Sequence, residues 1–77
     1  MEETKLTNLK AGQTAVVKEI RGGEGVSHRL SSLGIRPGKE ITHVSSHFWR
    51  GPVTVRIGRA KVAIGYGMAQ KIVVEVK

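Results

Sequence analysis

Residues 29–41, RLSSLGIRPGKEI, constrain the fold of this 77-residue chain more than any other stretch, because they set a short helix, its stop and the start of a strand side by side. Val26, Leu30 and Leu33 recur at i, i+4 and i+7, which at about 3.6 residues per turn predicts that all three share one apolar helix face. Gly34 stands where a left-handed C-terminal cap belongs, and Ile35 follows as the apolar residue that folds back over the last turn. Pro37-Gly38 supplies a fixed φ and then a permissive one for a turn, and residues 39–44 have the β-branched content of a strand. The first expectation is one helix inserted between strands.

The flanking segments supply the strands. Leu6 and Leu9 are placed to tuck beneath the sheet before Gly12 turns the chain into residues 14–20, TAVVKEI, the first strand. Its apolar residues do not alternate cleanly, which predicts either cover on both faces or a bulge. Gly22, Gly23 and Gly25 loosen the backbone ahead of the helix. GGEG is too short and wrongly placed for a dinucleotide fingerprint, and the Lys-Ser/Thr pair of a Walker loop is missing. In the C-terminal half, a two-residue turn at Gly58-Arg59 of type II′ sets Ile57 opposite Ala60, Val55 opposite Val62 and Val53 opposite Ile64. Those six apolar residues form a core face, and Thr54, Arg56, Lys61 and Ala63 form the other, with Arg56 and Lys61 a mildly destabilising like-charge pair. Gly65-Tyr66-Gly67 breaks the hairpin, residues 68–70 fit one helical turn, and Ile72, Val74 and Val76 alternate as a closing strand. Five short strands without a second apolar layer predict a mainly β protein: a small closed SH3-like barrel with one short helical insertion, one domain over 1–77.

At this length a single core rarely supplies more than roughly 3–5 kcal/mol of net stability. There is no cysteine, so disulfides and thiolate metal sites are excluded. No apolar run approaches the roughly 18 residues of a membrane helix and residues 1–10 have no signal-peptide core, so a cytoplasmic, soluble chain is expected. Thirteen Lys and Arg against six Glu leave +7, which favours acidic partners such as nucleic acid, anionic lipid or an acidic protein face. The cations are dispersed, however, and three aromatics are few for a single-strand stacking platform.

Catalysis is disfavoured by the residues themselves. Asp and Cys are absent and the Glu residues are scattered, so Ser27, Ser31 and Ser32 near His28 have no placed acid to complete a triad. His43 and His47 lie four apart on a strand and so on one face, a candidate pair for a transition metal ion, helped by Glu40 or His28 only if the fold brings them near. Four residues along a strand is roughly 13 Å, too far for one ion unless the strand bulges. Phe48, Trp49 and Arg50 sit just before a Gly-Pro turn, and an exposed Trp beside Arg has the composition of an interface anchor. Arg56, Arg59 and Lys61 make a small basic patch, either a docking surface or ordinary solvated surface.

In order along the chain come Leu6 and Leu9, Gly12, Arg29-Leu30 with Leu33-Gly34, Pro37-Gly38, Gly51-Pro52, and Ala69 with Ile72. That set resembles the FeoA family of small proteins linked to bacterial ferrous-iron uptake, over residues 4–76. The resemblance implies an SH3-like barrel without catalytic activity, acting on the cytoplasmic side with the FeoB transporter and its GTPase part, reaching the membrane only through that transporter. It also implies one rival, since the same module ends iron-dependent repressors as a metal-responsive regulatory domain; a nucleic-acid-binding small barrel is a second rival, raised by the charge of +7 and the barrel fold, though no specific nucleic-acid partner is expected. The string His47-Phe48-Trp49-Arg50 is not part of the family pattern, so its contacts do not carry over.

Overall fold

The helix stop is built as a Schellman motif. The N–H of Ile35 donates to the Leu30 carbonyl at 2.9 Å and the N–H of Gly34 donates to the Ser31 carbonyl at 2.9 Å, so two carbonyls that the helix leaves unpaired are satisfied. Gly34 carries φ 90, a left-handed conformation in which any Cβ is strained. Leu30 and Ile35, both 0% exposed, close the apolar contact that accompanies this cap.

The structure is a computed structural model that describes residues 2–46 and 50–77. Its elements are β1 (Glu3–Lys5), a 3-10 turn (Leu6–Asn8), β2 (Thr14–Ile20), α1 (Gly23–Ser32), β3 (Glu40–Ser46), β4 (Val53–Ile57), β5 (Ala60–Ile64), α2 (Tyr66–Ala69) and β6 (Ile72–Val76). All pairings are antiparallel, in the order β1-β6-β2-β3-β4-β5. This is the small SH3-like fold expected, with β1 as an additional edge strand on β6 that the polar residues 2–5 did not announce; among the described residues no strand pairing joins β5 to β1, so the sheet is not the closed barrel expected and ends at those two strands.

Two bulges bend the sheet. Val17 pairs with Val74 and Glu19 with Val73, which leaves Lys18 as the extra residue of β2. His43 pairs with Val55 and Ser45 with Thr54, which leaves Val44 extra in β3. An extra residue on one strand increases local twist and curls the sheet over the core. The bulge in β2 is the one its broken alternation predicts.

Leu6, Leu9, Ala15, Val17, Leu30, Ile35, Ile41, Val53, Val55, Ile64, Ala69, Ile72 and Val74 form one buried cluster. Leu6 and Leu9 sit beneath the sheet as expected, at 0% and 5% exposure. Two elements have other bounds than the sequence reading gives them, β3 (Glu40–Ser46) and the last helical turn (Tyr66–Ala69), and Val73 is buried along with its neighbours Ile72 and Val74. Leu33 is a correction of substance. It is the C-cap residue, with φ -93 and ψ 1, and lies 40% exposed because the backbone leaves the helix one residue before the periodicity would return it to the core. Among the described residues no helix is long and apolar enough to cross a membrane.

Candidate docking surface on the cationic hairpin

The β4–β5 hairpin follows the predicted register: Val53 opposite Ile64, Val55 opposite Val62, and Ile57 opposite Ala60. Gly58 has φ 58 while Arg59 keeps a negative φ, the pattern of a type II′ turn, whose twist matches that of the strands it joins. Val53, Val55 and Ile64 are buried, and Val62 and Ile57 are half-buried against the same core. The pleat therefore sends Thr54, Arg56, Lys61 and Ala63 outward.

Arg56 lies directly across from Lys61. In a two-residue hairpin the pair next to the turn is hydrogen-bonded and the following pair is not, so Arg56 and Lys61 form a non-hydrogen-bonded pair, where side chains stand closest. Arg59 is exposed at the turn between them. Arg50 lies apart from this trio, before the start of β4, at φ 62 and with its guanidinium carbon 6.0 Å from the centre of the Tyr66 ring. Its neighbours in the predicted anchor, Phe48 and Trp49, lie outside the described residues, as does His47.

The acidic residues are elsewhere. Ion pairs join Lys18 to Glu3 at 3.8 Å, Arg21 to Glu19 at 3.6 Å, and Lys77 to Glu40. No Asp or Glu occurs between Glu40 and Glu75, a span that holds Arg50, Arg56, Arg59, Lys61 and Lys71. That gap was readable in the sequence, and in the fold it includes the whole β4–β5 hairpin, whose outward face carries Arg56 and Lys61. Beside it an open groove is lined by Lys39, Glu40, Thr42, Arg56, Ile57 and Gly58, and its one carboxylate is already held by Lys77.

The remaining candidates are dispersed. His43 is 5% exposed on the inward face of β3, and its Nδ1 has no hydrogen-bond partner among the described residues. It is thus a core histidine, because β3 pairs on both sides and His43 shares its inward face with Ile41. Among the described residues no three of His, Asp and Glu converge. Ser27, His28 and Ser31 line a shallow open depression along α1 with Glu24 and Gly25. That depression lies on open helix surface, with His28 exposed and Ser27 and Ser31 half-buried.

The chain is thus a small SH3-like fold of six antiparallel strands that carries an acid-free, cationic hairpin. The FeoA domain matches residues 4–76, and the chain belongs to that family. A provisionally named Fe(2+) transport protein A of Methanocaldococcus jannaschii is 38% identical over 70 residues, 91% of this chain and 83% of that one. A crystal structure of an iron uptake regulatory protein (FeoA) superposes with a TM-score of 0.90 at 28% identity, covering 100% of both chains. The T. acidophilum IdeR structure gives a TM-score of 0.86 at 26% identity, covering 100% of this chain but only 35% of that protein.

Proposed function

We propose that this chain is a non-catalytic accessory of ferrous-iron uptake that works in the cytoplasm by docking on the cytosolic GTPase part of a FeoB-type transporter. Family membership across residues 4–76 carries this reading, supported by the iron-transport names of its relatives. The acid-free hairpin supplies a surface suited to an acidic face, with Arg56, Arg59 and Lys61 as contacts and Phe48, Trp49 and Arg50 as a second contact group. The lack of any Asp or Cys and the open depression that holds Ser27, His28 and Ser31 support a role without chemistry.

Reversing Arg56, Arg59 and Lys61 together to Glu is expected to weaken capture by the transporter's soluble part by about tenfold or more, since like-charge contacts replace complementary ones. The fold should survive, because all three side chains are exposed and Arg56 and Lys61 already repel. A pull-down at two salt concentrations, with a thermal melt of each protein, checks both. Full-strength capture by the folded triple variant would remove the hairpin from the interface.

The likeness to IdeR favours a second reading, a stand-alone regulatory domain of the kind that repressors carry. A nucleic-acid role rests on the charge of +7 and the small barrel fold. Phosphate-driven binding releases counterions and falls steeply with salt. Random-sequence DNA or RNA is expected to bind weakly or not at all at physiological ionic strength, measured by fluorescence anisotropy over a salt series. A tight, sequence-selective complex there would overturn the transporter reading.

A further inference from the structure

Among the described residues the β5 strand ends the sheet order and pairs only with β4. The hairpin geometry fixes which of its backbone groups face away from β4. Residues in hydrogen-bonded pairs, Ala60, Val62 and Ile64, spend both N–H and C=O on β4. Residues in the intervening pairs, Lys61 and Ala63, turn theirs to the open side. Among the described residues none of these four groups has a backbone partner. Ala60, Lys61 and Ala63 are exposed, and the two alanines leave little side chain in the way of an approaching strand.

The opposite edge is different in kind. β1 has three residues, Glu3–Lys5, and its Glu3 is ion-paired with Lys18, so that edge is short and charged with both signs. Such an edge resists further pairing. At β5 the Arg56–Lys61 repulsion is left without a carboxylate within ion-pair distance among the described residues. A lone lysine would suffice to protect an edge; two opposed cations with a third at the turn attract an anion from outside.

We propose that the free edge of β5 receives an extended acidic segment of a partner protein as an added strand, an inference that rests on the docking role above and specifies its contacts. Main-chain bonds to Lys61 and Ala63 would supply affinity, and alternation would set specificity. Every second side chain of the segment lies on the outer face beside Lys61 and Ala63, with Arg56 one strand further in, and should be Glu or Asp. The intervening ones lie beside half-buried Val62 and should be apolar. A second copy of this chain is the wrong occupant, because pairing β5 with itself brings two sets of Arg56, Arg59 and Lys61 together.

The probe is a capped octapeptide of alternating Glu and Val, followed by amide hydrogen exchange of the full chain. Its binding is expected to slow the Lys61 and Ala63 amides by roughly tenfold or more while leaving Val62, already bonded to β4, nearly unchanged. Ala63→Pro deletes an N–H that β4 does not use, a replacement edge strands tolerate, and is expected to weaken the peptide by about tenfold. Lys61→Glu, which relieves the repulsion with Arg56, should lose the acidic peptide and gain one of alternating Lys and Val. Absence of binding, unchanged exchange at Lys61 and Ala63, or wild-type affinity in both variants overturns the proposal. The transporter's soluble part, tested in parallel, separates the two readings. Peptide protection without transporter capture refutes the transporter role alone, whereas transporter capture undiminished by Ala63→Pro and Lys61→Glu refutes the edge alone.

Discussion

Val55→Asp is expected to leave the chain unfolded at room temperature, seen as collapse of amide dispersion in a ¹⁵N correlation spectrum and loss of a cooperative melt. Val55 is 0% exposed in β4, flanked by β3 and β5. A carboxylate there loses its water, and burying an unpaired charge costs several kcal/mol even after the protein relaxes. Its one polar neighbour across the β3 pairing is the buried imidazole of His43. One hydrogen bond from that ring does not replace a hydration shell. A core of this size supplies only about 3–5 kcal/mol in all, so the penalty is comparable to the whole stability. A well-dispersed spectrum would mean that Val55 does not face the core.

Leu30→Ala is expected to cost about 2–5 kcal/mol, the range for emptying a leucine-sized volume in a core that cannot fully collapse. Leu30 is 0% exposed and is the point where α1 is fastened, since Ile35 both packs over it and donates to its carbonyl. Losing that side chain loosens the helix and the cap together. Leu33→Ala, three residues on, is expected to change stability by no more than about 0.5 kcal/mol, as for other exposed substitutions. Urea denaturation of the two variants, compared at equal slope, measures the difference. Equal losses would place Leu33 in the core after all.

These two leucines show where sequence pattern stops being informative. Periodicity puts Val26, Leu30 and Leu33 on one face, and for Val26 and Leu30 the packing agrees. At Leu33 the cap intervenes: Gly34 takes φ 90 and redirects the chain, so helical spacing ceases to describe where the side chain goes. The hairpin behaved differently. Its turn, its register and its inward face were legible because a two-residue loop with Gly58 at the first central position leaves one pairing, and a one-residue slip would expose Val53, Val55 and Ile64. β1 had no such signal, since an edge strand of three polar residues buries nothing that a pattern could reveal.

The docking surface divides along the same line. Arg56, Arg59 and Lys61 were legible as a basic cluster, because the turn alone sets Arg56 opposite Lys61. Sequence also contains the absence of any acid between Glu40 and Glu75. By itself, then, the sequence determined the helix stop, the hairpin and its charge, all of which follow from local backbone preferences and the two-residue period. Only the tertiary structure decided that β5 ends the sheet, that His43 is buried and that the carboxylates ion-pair on other strands, because strand order, bulge position and burial depend on pairings between residues distant in the chain. No local pattern encodes those pairings; they are set when the whole sheet closes over one core.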